Sequence, residues 1–572
     1  MLLAIDTEYD EITKVPFICT MSDGETSKLF YPDRDKDWWM MKQICENTEH
    51  EKIFHSATSD IYALHTIGIS VKPPYHDTFI MSSIIDENFA TRKLKDLAKK
   101  YLKEPCLEAK ELNKVKNKYK RLLKSEFRWS KIPKEVIEPY AIKDPEYTYA
   151  LYKYFEPKIQ KFMRLYNIEL ELIPDIVDMQ IRGHYVDRAF CESEMQKLNT
   201  VYEFYYNKLV KFYGKMFNPG SSKEVALLLK KAGLFITEKT PKGLTSTKKE
   251  VLDKYADQSE TVQWLLNCRN AEKQVNTYYG PLLTEYTYKS DPIAHFSFYQ
   301  SGAKSGRFSA ELIQTIPQKR TKGDVPNSVR RAFIPRPGYV NFYFDYDQIE
   351  MKLFAHFTNN INLIEAIRNK VDPYIATAID LFGQEELIDD YPKELRDISK
   401  TINLGMIYGM GANKLAQTLK LPSHQAHSIL SRYDQKYRIK SYMSKMESLL
   451  YRQGYIELEW IGREYRVPKN LSYKCVNIII QGTAAYIIKL AMKRISDYIK
   501  KQWQELGVCM LLQIHDELVF EIPMNVAIPI PVIVSKLKEL MEDLTTFQVP
   551  ITASVKYSEK SWLDKRSWKE AA

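Results

Sequence analysis

The sequence predicts a multidomain protein of the α/β and α+β classes. Three observations carry that expectation. The chain has 572 residues, 44% of them hydrophobic and 12% aromatic, enough for several packed cores. Its first residues read as a strand, apolar from Leu2 to Ile5 and then acidic at Asp6 and Glu8. Two further strand-like stretches end in acids far downstream, FDYDQIE at Phe344–Glu350 and IHDE at Ile514–Glu517, with helical tracts between them.

Bulk composition narrows the partners. A net charge of +10 fits a polyanionic partner without proving one. The 39 tyrosines offer rings that stack on bases, although most of them are expected to be structural. Seven cysteines, none in a CxxC pair, fit reduced thiols better than a zinc site or a disulfide framework. The N-terminus turns acidic too early for a signal peptide, and Gln481 and Lys489 break the longest apolar run, so a soluble cytoplasmic protein is expected.

Along the N-terminal strand, residues two apart share a face, so Asp6 and Glu8 point the same way. Two such carboxylates resist joint ionisation unless a cation sits between them. The plain alternative is a solvated strand edge. FHSATSDIYAL then places Asp60 on a helix, HDTF holds Asp77, LKDLAKKYL at 94–102 is an amphipathic helix, and YAIKDPEYTYALY sets Tyr140 four residues before Asp144. Asp6, Glu8, Asp60 and the Tyr140/Asp144 pair resemble the three motifs of the 3′–5′ exonuclease family that also includes ribonuclease D. That resemblance implies a ribonuclease H-like (DnaQ-type) domain over 1–160, with four carboxylates holding two Mg2+ ions and Tyr140 positioning the attacking water. Two departures stand out. Ser56 replaces an expected Asn, and Pro145 after Asp144 disfavours helix at that acid, which is expected to cap the next helix instead.

The middle of the chain is helical and basic. Arg269, Lys273 and Thr277 in CRNAEKQVNTYY share a helix face that suits a sequence-blind grip on a phosphate backbone, or equally an ordinary charged surface. KNKYKRLLKSEFR, at 116–128, reads as a solvated connector that is also able to touch single-stranded DNA. HFSFYQSGAKSGRFSAELIQTIP carries Gln300, Arg307 and Gln314, and VRRAFIPRPGY carries Arg330.

Asp345 ends a buried strand, where a carboxylate needs a counter-charge. Met510–Ile514 and Leu518–Ile522 read as a hairpin around His515 and Asp516. RDISKTINLGMIYG, at Arg396–Gly409, reads as a helix entered through Asp390 and Pro392 and stopped by Gly409 and Gly411. Arg396, Lys400, Leu404 and Tyr408 form one stripe on it, two cations followed by an apolar side chain and a ring. That order suits a molecule with phosphates at one end and a flat base at the other. The bland alternative is a solvated basic face running into core.

These stretches resemble motifs A, B and C of family A DNA polymerases, the bacterial polymerase I-like group. The resemblance implies a right-hand polymerase domain over 161–572, with the thumb at about 190–290, the palm at about 295–356 and 471–572, and the fingers at about 357–470. It implies that Asp345, Asp516 and the Tyr346 carbonyl hold two Mg2+ ions, with Mn2+ as an alternative, and that Glu517 is part of the centre. By the same resemblance Arg396 and Lys400 grip the triphosphate, Leu404, Tyr408 and Gln348 meet the nucleotide, and Glu350 blocks a ribose 2′-hydroxyl. Arg269, Lys273, Arg307, Arg330, Asn477, Gln481, Gln513 and His515 are implied to hold primer–template DNA.

Departures again matter. Asp347 stands for the usual Ser, Lys352 for Arg, Tyr374 for His, Tyr486 for Asp, and Leu404 for Phe or Tyr. Leu404 is expected to leave dideoxynucleotides discriminated against.

The function implied is primer extension with dNTPs plus proofreading. With no segment before Asp6 for a 5′ nuclease, a monomeric phage replication enzyme is expected, working with helicase, primase and single-strand binding protein in the host cytoplasm. The alternatives kept open are a repair or translesion polymerase with a weak editing domain, a single-subunit RNA polymerase, and a non-catalytic DNA-binding protein.

Overall fold

The computed structural model describes residues 1–89, 91–123, 127–288, 291–317, 325–383, 392–544 and 546–569. Asp390 lies outside them.

Strands β1 (Leu2–Tyr9), β2 (Pro16–Ser22), β3 (Ser27–Phe30), β4 (Glu51–Phe54) and β5 (Tyr75–Asp77) form a mixed sheet in the order β3-β2-β1-β4-β5. β1 is central, antiparallel to β2 and parallel to β4. Its residues Leu3, Ala4 and Ile5 are buried, which carries Asp6 and Glu8 out to the strand's C-terminal end. Helices Ala57–Thr66, Thr78–Ile85 and Lys143–Ile159 pack around this sheet. Asp77 is structural, because one carboxylate accepts from the backbone of Phe79, Ile80, Ser56 and Ala57 and ties two helix starts together.

Two expectations are corrected here. Asp144 is no helix cap; it lies in the first turn of Lys143–Ile159. Pro145 is tolerated because the first-turn N–H groups have no intrahelical partner. The basic run near 116–128 is no mere connector either. Its described first part is the end of a helix, Leu107–Leu123, whose Leu112 is buried with Ile18, Trp129, Ile132, Ile137 and Ala141. Residues 124–126 lie outside the described set.

A second sheet forms around β6 (Tyr339–Tyr346), with β7 (Cys509–Ile514), β8 (Glu517–Pro523), β9 (Ala553–Ser558) and β10 (Arg566–Ser567). Its order is β7-β8-β6-β9-β10, antiparallel throughout. β6 is nearly all apolar and buried, as a central strand requires. The helix Cys475–Gln502 runs through the core, contacting helices Ile349–Thr358, Ile439–Gln453 and Ile530–Glu542. The Lys469–Gln502 stretch is long and apolar enough to cross a membrane, but 78% of its most apolar window is buried inside the fold, as expected of a core helix.

The two sheets belong to one packed body, joined by a buried polar knot. Lys489 and Glu169, both fully buried, form an ion pair at 2.5 Å. Tyr486 donates to Glu169 at 2.9 Å and accepts from Arg463 at 2.7 Å. Arg463 also donates to the Ser83 carbonyl, and Arg466 pairs with Glu87 at 3.2 Å. Tyr486 is thereby explained: a carboxylate at that position would face Glu169, whereas a phenol hydroxyl bridges Glu169 and Arg463.

Candidate active sites

The first site opens at the end of β1. Ligand atoms of Asp6, Glu8 and Asp144 lie within 4.8 Å of one another. Burial, then the neighbouring Asp6 charge, pushes the Glu8 carboxyl up to about 8, and burial pushes Asp6 up to about 6. Enclosed acids, one of them raised by its neighbour, form a donor set that a divalent cation relieves. Tyr140 comes from the helix Lys134–Ala141 and lines the same cleft of about 680 Å³.

Asp60 lies outside that trio but beside it. It is buried, one of its oxygens accepts from the Thr7 backbone at 3.0 Å and the Thr7 hydroxyl at 2.7 Å, and burial, then the neighbouring Asp6 charge, raises its carboxyl well above the usual range. Two side chains that the sequence did not single out stand here as well. Lys95 ion-pairs with Asp144 and lies 4.3 Å from the Tyr140 ring centroid. Trp129 donates its indole N–H to Glu8 at 2.6 Å, and Lys116 covers that indole at 4.3 Å. In the sequence Lys95 is one polar residue of an amphipathic helix, LKDLAKKYL, with nothing local to mark it as a site residue.

The second site is a cleft of about 570 Å³ lined by Asp345, Tyr346, Gln348, Glu350, Tyr374, Leu404, His515, Asp516 and Glu517, among others. β6 and the β7–β8 hairpin bring its acids together. Asp345 is paired in register with Glu517, and the Tyr346 N–H donates to the Asp516 carbonyl at 3.2 Å. Asp345 is open to the cleft and enclosed on its other sides. That enclosure, then Glu517 and Asp516, pushes its carboxyl up to about 7. Here too the donor set fits divalent cations.

The motif B stripe lies on a helix, Lys393–Ile407, with Tyr408 as its C-cap. Ser399, Ile402, Asn403 and Met406 face the core, leaving the predicted stripe on the open face. Gly409 has φ +75, and a Cβ there would strike the Tyr473 ring at 2.7 Å. Tyr408 OH reaches both Glu350 oxygens at 3.3 Å and accepts from Gln481 at 2.9 Å. Arg307 donates to Glu350 at 2.9 Å and lies 3.6 Å from Asp516. Arg396 is engaged through two nitrogens by Asp372, at 3.0 and 2.7 Å, and Gln348 donates to the same Asp372 oxygen at 2.9 Å. Tyr374 lies beneath Arg396 and Lys400, at 5.4 and 5.8 Å.

Two motif A departures explain each other. Lys352 donates to the Thr552 hydroxyl at 2.6 Å, which in turn donates to Asp347 at 3.1 Å.

Several residues read as DNA contacts are occupied internally. Arg269 donates to the carbonyls of Pro219 and Thr247 at 2.7 and 2.6 Å, so its guanidinium braces its own subdomain. Lys273 and Thr277 are exposed, but a π-helical stretch at Gln274–Tyr279 breaks the single helix face assumed for them. Gln300 is buried on Glu169, and Gln513 is buried with its amide donating to the His515 carbonyl at 2.5 Å. Arg330 is mostly buried, 3.9 Å over Trp562, at the edge of the cleft. Asn477 shares the Cys475–Gln502 helix with Gln481 and is half-buried. For Arg269, Gln300 and Arg330 the sequence could not show these partners because they lie far away along the chain.

Comparison with known proteins gives the family. A model described as DNA polymerase family A matches residues 188–564, and one described as 3′–5′ exonuclease matches residues 2–160. The chain belongs to DNA polymerase family A. Its exonuclease domain precedes the polymerase domain. DNA polymerase I of Borreliella burgdorferi is 30% identical over 521 residues, 88% of this chain and 54% of that protein. DNA polymerase I of Bacillus subtilis is 28% identical over 558 residues, 95% of this chain and 61% of that protein. The family A chain therefore spans little more than half the length of these curated relatives. Among solved structures, the POL domain of Pol1 from M. smegmatis, in complex with DNA primer-template and dNTP, superposes with a TM-score of 0.81. It is 23% identical, and the match covers 98% of this chain and 95% of that one, which establishes the shared fold.

Proposed function

We propose that this family A chain is a DNA-directed DNA polymerase that extends a primer 3′ end with dNTPs and proofreads by 3′–5′ hydrolysis. One observation carries the synthetic half. A continuous line of contacts runs from Gln481 through Tyr408, Glu350 and Arg307 to Asp516, so the groups proposed to test a base pair are wired to a metal-binding acid. The Mycobacterium neighbour's bound primer-template and dNTP support the same ligand classes.

In this reading Asp345, Asp516 and the Tyr346 carbonyl would hold Mg2+ at the synthetic site, and Asp6, Glu8 and Asp144, with Asp60 beside them, would hold it at the editing site. Bound divalent ions would lower the pKa of the attacking hydroxyl or water and neutralise charge on the phosphates. Arg396 and Lys400, above Tyr374, grip the triphosphate. For Arg396 this means exchanging Asp372 for phosphate, a charge-for-charge swap that costs little desolvation. Glu350, fixed by Arg307 and Tyr408, fills the place a ribose 2′-hydroxyl would need. Segments 190–290, 295–356 with 471–572, and 357–470 are proposed as thumb, palm and fingers.

Primer extension with Mg2+ tests this. Asp345→Asn should abolish synthesis while leaving DNA binding intact, and Glu350→Ala should gain ribonucleotide use. Synthesis by Asp345→Asn at the wild-type rate would refute the assignment. Leu404 offers no hydroxyl at the sugar, so dNTPs should be preferred to ddNTPs by about tenfold or more, roughly 1.4 kcal/mol; equal use of the two in a competition assay would refute that part.

A further inference from the structure

A lysine near the end of the chain reaches the polymerase centre, and nothing in the mechanism above uses it. Lys565 Nζ donates to both Glu517 oxygens, at 2.8 and 2.6 Å. Both side chains are only 14% exposed. The same ammonium lies 4.0 Å from the Tyr343 ring centroid and 5.6 Å from that of Trp562. Its backbone is well held. Trp562 N–H donates to the Phe333 carbonyl at 2.8 Å, Ser561 donates to Asp564, and β10 pairs with β9 just beyond it.

The chemistry of the pair decides what it does. Asp345, Asp516 and Glu517 sit at the tips of β6 and the β7–β8 hairpin, and Asp345 and Glu517 are directly opposed in register. Three carboxylates facing one cleft would repel one another and compete for a cation. A bidentate ammonium occupies a lone pair on each Glu517 oxygen and cancels its charge in a partly dry setting. Of the three acids at these strand tips, Asp345 and Asp516 are then the two that this ammonium leaves to a cation.

We propose that Lys565 is a positioning residue of the polymerase centre, engaging Glu517 so that Asp345 and Asp516 alone face the divalent ions. This rests on the assignment of the cleft as the synthetic site. It gives the C-terminal segment a direct electrostatic role in metal loading.

The test is Mn2+ binding to the whole protein, without DNA or nucleotide, read by electron paramagnetic resonance. It is run in an Asp6→Ala background to weaken the editing site. Lys565→Met should tighten Mn2+ binding about three- to tenfold, because a third carboxylate is released into the cleft. Steady-state extension by the same variant should lose about tenfold in kcat with little change in KM for dNTP, the size expected when a partner behind the metal ligands is lost. Lys565→Arg should restore most of both. Adding Glu517→Gln to Lys565→Met removes both charges together, so it should abolish the tightening and leave Mn2+ affinity within about twofold of wild type.

Unchanged Mn2+ affinity in Lys565→Met would overturn the proposal. So would a large loss of Mn2+ binding in the Lys565→Met/Glu517→Gln double variant relative to wild type, since Glu517 would then be a ligand. That second variant keeps the test alive should Lys565→Met fail to fold, which exonuclease activity of the same variant without the Asp6 change would reveal. If the wild-type chain extends no primer, the synthetic reading fails, whereas the metal-binding coupling is read independently of it.

Discussion

The chain carries two carboxylate centres that solve one problem in different ways. In the exonuclease cleft the resident ammonium, Lys95, pairs with Asp144, itself one of the clustered acids. In the polymerase cleft the resident ammonium, Lys565, pairs with Glu517, and Asp345 is left with two carboxylate neighbours. A divalent ion at the first centre must compete with a lysine for Asp144; at the second, Lys565 engages Glu517 instead, and the cation near Asp516 is Arg307 at 3.6 Å. The lesson is that a lysine near clustered acids is not one kind of feature. Its effect depends on whether it engages an acid facing the cleft or the one behind.

The sharpest way to break the comparison is to disable one centre and read the other. Asp6→Ala should remove 3′-end degradation of a mismatched primer by on the order of 10³-fold, since several kcal/mol of charge stabilisation are lost, and should leave extension unchanged. Unchanged degradation would make the N-terminal domain a scaffold. Next in size is the buried knot between the two halves. Lys489→Met strands a fully buried Glu169 without its cation and should cost about 3–5 kcal/mol of unfolding free energy by chemical denaturation. A loss below 1 kcal/mol would show that Tyr486 and Gln300 suffice for Glu169.

How legible each centre was in the sequence follows from its construction. Asp6 and Glu8 share a strand face by the period of two, so their pairing needs no tertiary information. Asp345 and Asp516 were each visible as a strand-end acid, but their meeting depends on the register of β6 with β8, which only the motif resemblance anticipated. The stripe Arg396, Lys400, Leu404 and Tyr408 was readable from its every-fourth-residue spacing on a helix. What failed was reading availability from residue type. Arg269 and Gln300 look like free hydrogen-bonding groups in the sequence and are held by distant partners in the fold, and Gln513 is turned back onto the His515 carbonyl across the hairpin turn. Lys565 and Trp129 were invisible for the same reason: the groups they contact, Glu517 and Glu8, are remote along the chain.

A third measurement sharpens the electrostatic side. In the metal-free protein Asp6, Asp345 and Glu8 are raised to about 6, 7 and 8. Acids raised on folding favour the folded state fully only below their unfolded values near 4, and that contribution is lost as pH climbs through 6 to 8. A bound cation replaces the proton. The rise in Tm on replacing EDTA with Mg2+ should therefore be larger at pH 8.5 than at pH 5.5, by a few degrees in a calorimetric scan. An equal rise at both values would mean that these acids are already ionised and paired without metal.

The smallest expected effect concerns Ser56, where the family pattern has Asn. Ser56 is the residue before the Ala57–Thr66 helix, with φ 76 and ψ 59, and its side chain caps nothing. That left-handed backbone costs an ordinary residue roughly 1–2 kcal/mol, and Asn is among the few side chains that adopt it readily. An asparagine there is thus explicable by backbone conformation, without any contact to substrate. Ser56→Asn should raise stability by up to about 1 kcal/mol, seen as a higher denaturation midpoint at unchanged slope. If backbone relief is the whole reason, the exonuclease rate should not move. A faster exonuclease with unchanged stability would place that amide on the DNA instead, and would make Ser56 a weakened substrate contact in this chain.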